Sequence, residues 1–97
     1  MTKATWNGVV LAESDRCIDV AGVYYFPPDS LKRAYFGESD IHSYCDVKLG
    51  EANYYTLTVD GKVNKDAAWY YPALENPKYK NIVGYIGFWK GVQVTNN

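Results

Sequence analysis

The chain has 97 residues, 47% apolar and 22% charged, with a net charge of −1. That length suits one domain spanning residues 1–97 and is too short for two. Ten basic residues are interspersed with eleven acidic ones, so no basic stripe of the kind nucleic-acid binders use is expected.

No run approaches the ~18 apolar residues of a membrane span, and Met1–Asn7 leads into no export signal. Cys17 and Cys45 therefore read as reduced thiols, and a cytoplasmic setting is the expectation. Ten tyrosines, three tryptophans and three phenylalanines favour half-buried strand positions, so the composition leans toward β structure.

Thr5 to Glu13 reads as a first strand, with Asn7-Gly8 as a bend or bulge inside it. Ser14-Asp15-Arg16 reads as a turn. Cys17–Val20 and Val23–Phe26 are strand pieces broken at Ala21-Gly22, and Pro27-Pro28 ends the run. Asp29 or Ser30 can cap a short helix through Tyr35, with Gly37 as its C-cap. Leu31, Ala34 and Tyr35 would share its apolar face. Glu38–Ser43 is polar and reads as a loop. Tyr54–Val59 and Lys62–Tyr71 flank Asp60-Gly61, a strong hairpin signal. Pro72 and Pro77 bracket a loop or one helical turn. Ile82–Trp89 reads as the last long strand, Lys90-Gly91 as a turn, and Val92–Val94 as a short final piece. The expected fold is mainly antiparallel β, as a small barrel or two packed sheets, with one short helix near residues 29–35.

A two-residue turn at Asp60-Gly61 pairs Val59 with Lys62 and Thr58 with Val63. An unbroken ladder would then oppose Thr56 to Lys65, Tyr54 to Ala67 and Ala52 to Trp69. Opposed and alternate residues share a face. One face thus carries Gly50, Ala52, Tyr54, Ala67, Trp69 and Tyr71. The other carries Tyr55, Leu57, Val59, Ala68 and Tyr70. Lys48 has the parity of the first face, which puts its ammonium near Trp69 and Tyr71 if no bulge intervenes. The doublets Tyr24-Tyr25, Tyr54-Tyr55 and Tyr70-Tyr71 each send one ring to either side of a strand.

The order of Trp6-Asn7-Gly8, Tyr25-Phe26-Pro27, Cys45 with Lys48 and Gly50, Asp60-Gly61, Ala67-Ala68-Trp69-Tyr70-Tyr71-Pro72 and Gly87-Phe88 resembles the family catalogued as domain of unknown function 427. The resemblance covers essentially the whole chain. It implies a compact, mostly β domain of bacterial type. A nucleotidyltransferase-like label is sometimes attached to that family. Such chemistry generally draws on paired carboxylates that hold divalent metal, and no Gly-Ser followed by Asp-x-Asp is present. Leu49 stands between Lys48 and Gly50 where the family pattern joins the two, which reads as a bulge.

Cys45 is the candidate nucleophile. It lies three residues from both His42 and Lys48, and nearby positive charge favours the reactive thiolate. Most free cysteines are instead small buried hydrophobes. His42, the only histidine, could serve as its base, although a lone histidine in a polar segment is usually just solvated. Cys17, Cys45 and His42 make three metal ligands at most, without paired spacing, so no metal and no cofactor is expected. Lys48, Tyr54, Trp69 and Tyr71 are the candidate binding residues. An aromatic pocket with few polar tips suits a small molecule. The same rings also fit the ordinary preference of tyrosine for half-buried strands. Three functions follow as expectations: small-ligand binding at that pocket, an enzyme using Cys45, or an interaction module with an aromatic docking face. A homodimer is compatible with the last.

Overall fold

Four dipeptides ending in glycine organise the chain: Asn7-Gly8, Ala21-Gly22, Asp60-Gly61 and Lys90-Gly91. In each, both residues have positive φ, between 50° and 89°. That is the requirement of a tight hairpin turn whose twist matches the flanking strands. In the computed structural model, which describes Met1–Asn97 throughout, three of these turns close hairpins. Asn7-Gly8 joins β1 (Thr2–Trp6) to β2 (Val9–Ser14), Ala21-Gly22 joins β3 (Ile18–Val20) to β4 (Val23–Tyr25), and Asp60-Gly61 joins β6 (Gly50–Val59) to β7 (Lys62–Tyr70). The fourth passes the chain from β8 (Ile86–Phe88) to β9 (Gln93–Asn96) in a different sheet.

The architecture is mainly β, in three antiparallel sheets that do not close into a barrel. β2-β1-β9 form one, β3-β4 a second, and β5-β6-β7-β8 a third, with β5 spanning Phe36–Cys45. Phe26 and Ile86 exchange two backbone hydrogen bonds of 2.8 Å, so the β3-β4 hairpin is tied to the β8 edge. β5 is left as the free edge.

Several local expectations change. The single strand over Thr5–Glu13 is a hairpin, because Asn7-Gly8 turns the chain fully. The helical piece near residues 29–35 is two 3-10 turns, Pro28–Ser30 and Arg33–Tyr35. Between them Leu31 bridges Ala12, and the Lys32 amide donates to the Leu11 carbonyl at 2.8 Å. Backbone committed to β2 cannot also close an α-helical turn. Pro27, not Asp29 or Ser30, precedes the first turn, and Gly37 lies inside β5. The polar stretch Glu38–Ser43 is strand rather than loop. An edge strand with charged side chains and a bulge shows no hydrophobic alternation, and β5 has its irregularity between Glu38 and His42. The last long strand shrinks to Ile86–Phe88, because Pro77–Ile82 forms a 3-10 turn. Gly84 then leaves the strand conformation at φ 79° to donate to the Tyr71 carbonyl.

The β6-β7 register departs from an unbroken ladder past Leu57↔Asn64. Tyr55 pairs with Ala68 and Tyr54 with Trp69. Two extra residues in β7 are absorbed around Asp66, whose φ is 57°. A shift of two keeps side-chain parity, so Tyr54, Trp69 and Tyr71 stay on one face, but Trp69 now opposes Tyr54 instead of Ala52.

Each face of this sheet carries a buried cluster. Tyr55, Leu57, Val59, Ala68 and Phe88 pack with Ala4, Leu11 and Phe26 in the larger core. On the opposite face Ala52 and Tyr71 pack with Tyr25, Leu74 and Ile82. Each tyrosine doublet divides between the two: Tyr24, Tyr55 and Tyr70 against the first, Tyr25, Tyr54 and Tyr71 against the second.

Gly87 lies directly across from Trp69. A Cβ there would stand 2.6 Å from Trp69 Cζ2 and 2.8 Å from Cε2. The indole therefore lies on bare backbone. Gly87→Ala should lower the unfolding free energy by roughly 1–3 kcal/mol, the usual cost of overpacking. Gly37→Ala, whose Cβ would meet only the Thr56 carbonyl at 3.9 Å, should be neutral to slightly stabilising. Urea titrations of the two variants beside wild type check the contrast; equal stabilities would mean the indole has room to shift.

Candidate functional site

On the second face the covering layer is incomplete. The β3-β4 hairpin and the segment from Pro72 to Tyr85 cover Ala52, Tyr71 and part of Trp69. Beyond them a cavity of about 220 Å³ remains open, walled by Tyr54, Trp69, Tyr71 and Trp89. Every lining residue is aromatic. Tyr54 and Trp69 are cross-strand partners and Tyr71 follows two residues on, so three walls come from one hairpin face.

The fourth wall, Trp89, was not among the sequence candidates. It is 47% exposed yet fixed at two points. Its backbone amide donates to the Ala67 carbonyl at 3.0 Å, and its Nε1 donates to the Asp66 carbonyl at 2.6 Å. Both acceptors lie at the β7 bulge. The only sequence signal was its parity with Gly87, and that becomes useful only once Gly87 is known to oppose Trp69.

The rings hold one another in place. Trp69 meets Trp89 edge-on at 6.0 Å and 78°, and meets Tyr25 at 6.1 Å and 88°. Tyr54 lies tilted by 35° to Trp89 at 6.4 Å. Edge-to-face pairs contribute about 0.5–1.5 kcal/mol each beyond the area they bury. The Tyr54 hydroxyl shares a 2.7 Å hydrogen bond with Ser43 on β5.

Lys48 does not line the cavity. It lies in the Asp46–Leu49 turn between β5 and β6, where Leu49 takes a positive φ of 60°. The extra residue before Gly50 is thus accommodated in a turn, not in a strand bulge. Lys48 Nζ stands 5.8 Å from the Tyr71 ring centre and 5.2 Å from that of Tyr79. It reaches the rim of the aromatic group by this route, not by strand parity.

Cys45 is half-buried at the same end. Its Sγ accepts a hydrogen bond from the Lys48 amide at 3.4 Å. Burial pushes the thiol up, but the backbone amides of Lys48 and Val47, the Lys48 ammonium and the Tyr71 hydroxyl outweigh it, and the net shift is downward. Tyr71 moves the opposite way. Burial first, then the neighbouring Tyr25 and Cys45, hold its hydroxyl firmly protonated, so it can donate to the sulfur. His42 does not join this group. Its Nδ1 meets Asn53 Oδ1 at 2.7 Å and Glu51 at 3.7 Å, on the face of β5 opposite to Cys45. Cys17 is remote in the fold, and burial raises its thiol. Both cysteines are free. No three His, Cys, Asp or Glu side chains converge as a metal-holding group, and no helix is long and apolar enough to cross a membrane.

The fold and cleft thus define a small β domain whose central sheet carries an all-aromatic hollow, with the half-buried Cys45 near one end. The chain belongs to the family described as domain of unknown function (DUF427), whose model matches residues 1–96. No curated protein matches it.

The two thiols should separate by pH. A thiol favoured in its ionised form is alkylated at lower pH than a free one. Iodoacetamide labelling of Cys45 in the folded protein should have a midpoint below that of a free thiol, and that of Cys17 a midpoint above it. Lys48→Met should move the Cys45 midpoint up. By linkage, stability from the Cys45 thiolate is fully present above the unfolded-state pKa and is lost as pH falls through the lower folded value. Mass-spectrometric rates across pH read the first effect; coincident midpoints for the two cysteines would refute it.

Proposed function

We propose that this domain binds a small molecule in the cleft walled by Tyr54, Trp69, Tyr71 and Trp89, with Lys48 at its rim. The observation that carries the reading is the lining itself. A folded chain of this size normally buries its large rings, and here four of them are arranged around open space on a sheet face that is covered elsewhere. Concave, largely apolar, preformed hollows are the common form of small-molecule sites. The walls are preorganised, since Trp89 is pinned to the bulge and Trp69 is seated on Gly87. Binding therefore costs little ordering of the protein. Two unpaired thiols suit a reducing, cytoplasmic setting.

A second reading is favoured by one specific observation, the amide and ammonium surroundings of Cys45. In that reading Cys45 is a nucleophile acting on a ligand held in the cleft, with Lys48 stabilising the thiolate. A nucleotidyltransferase-like activity draws no support from the residues present. Asp60 sits in a turn and Asp66 in a bulge, and its carboxylate is bonded to Ser39.

A panel of small aromatic, sugar and alkylammonium compounds, screened by ligand-observed NMR, tests the cleft. At least one compound should bind wild type and lose tenfold or more in affinity to Trp89→Ala, a half-exposed position whose truncation should leave the fold intact by circular dichroism. Hits that bind both proteins equally, or the absence of any hit, would sink the assignment of the site.

A further inference from the structure

The chemistry of the cleft narrows its occupant. All four wall residues have polar tips, and two of those tips are hydrogen-bonded within the protein. Tyr54 bonds Ser43, and Trp89 bonds the Asp66 carbonyl. The lining is four aromatic residues, so the cavity offers an occupant mainly π faces. A sugar, which needs its hydroxyls paired when desolvated, gains little there. A flat ring needs two parallel walls about 7–8 Å apart to stack on both sides. Trp69 and Trp89 stand at 78°, and the nearer-parallel pair, Tyr54 and Trp89, has centroids only 6.4 Å apart. The walls form a corner rather than a slot, and a corner suits a compact, rounded group.

The rings also attract cations. Lys48 lies over Tyr71 and Lys90 over Trp89, 5.8 and 5.1 Å from the ring centres, and neither lysine lines the cavity. A primary ammonium is strongly hydrated and keeps hydrogen-bond partners; Lys90 Nζ donates to the Lys65 carbonyl at 3.1 Å. The cavity walls carry no carboxylate or other charged partner for such a group. A quaternary nitrogen has no N–H to satisfy, presents a skin of methyl groups, and gains from several ring faces at once.

We propose that the cleft binds the trimethylammonium head of a free small molecule, held by the faces of Tyr54, Trp69 and Trp89. This rests on the cleft being a ligand site. A cavity of about 220 Å³ has room for such a head with a short tail. Lys48 and Lys90 oppose its charge from outside, so they set a limit on affinity without blocking entry.

The test compares choline with 3,3-dimethylbutan-1-ol, its neutral carbon isostere, by tryptophan emission and by the indole N–H resonances of Trp69 and Trp89. Choline should bind at least about fivefold more tightly than the isostere, consistent with a cation–π contribution at a partly exposed site. The preference should vanish in Tyr54→Leu and Trp89→Ala; two variants are used so that misfolding of one leaves the other informative. Lys90→Met should tighten choline about two- to threefold, as expected for removing a partly screened like charge. Equal binding of choline and isostere would overturn the cation and leave an apolar cleft standing. A trimethyl-lysine peptide bound tenfold or more tightly than choline would overturn the free small molecule. Failure of choline beside a cleft-directed hit from the compound panel would overturn this inference alone, and failure of every probe would remove the cleft reading with it.

Discussion

A sheet that is apolar on both faces must be covered on both faces, and that constraint shapes this molecule. The tyrosine doublets make it unavoidable. Strand geometry throws Tyr54 and Tyr55, and Tyr70 and Tyr71, to opposite sides of β6 and β7, so no rotation of the sheet can hide all of them in one core. The N-terminal hairpin with β9 covers one face. The β3-β4 hairpin and the Pro72–Tyr85 segment are what remains for the other. They are short, and they cover the half nearest Tyr71 and Leu74. The cleft is the uncovered remainder.

The β7 bulge at Asp66 shapes that remainder. The two extra residues bring Trp69 level with Tyr54 and place the Ala67 and Asp66 carbonyls where Trp89 bonds them. Asp66 is itself held by the Thr56 hydroxyl, which accepts from its amide, and by Ser39. A non-glycine residue at positive φ is locally strained, and these side-chain bonds offset that strain. The same device at Leu49 lets Cys45 accept the Lys48 amide while Gly50 begins β6. Gly50 has no space for a side chain either: a Cβ would collide with the Ala73 carbonyl and Leu74. Both ends of the cleft are thus set by backbone features and not by the rings alone.

These features divide what the sequence disclosed from what it did not. The Asp60-Gly61 turn, the mainly antiparallel β class and the shared parity of Tyr54, Trp69 and Tyr71 were legible, because hairpin chemistry and period-2 alternation are local. The bulge was not, since nothing in Lys65-Asp66 demands positive φ. Parity survived only because the slip was by two. Trp89 stayed hidden because its place depends on a β7-β8 pairing between residues far apart in the chain. Glu38–Ser43, within β5, reads as a loop because a polar edge strand carries no hydrophobic period. Lys48 came close to Tyr71 by a turn that the parity argument did not contain. His42 and Cys45 looked adjacent in sequence, yet their odd separation along one strand sends them to opposite faces.

Leaving four large rings around open space has a thermodynamic consequence. Apolar surface left in water forgoes roughly 25 cal/mol per Å² of stabilisation, and this is a small domain with little to spare. A longer Pro72–Tyr85 segment would extend the cover of this face over the hollow. Instead the chain adds structure that keeps the hollow open. Trp89 is bonded at two points when an exposed tryptophan needs neither, and Trp69 is given bare glycine backbone to lie against. Rigidity spent on unfilled space is what distinguishes a preorganised site from an imperfectly packed core, whose walls would be free to relax inward.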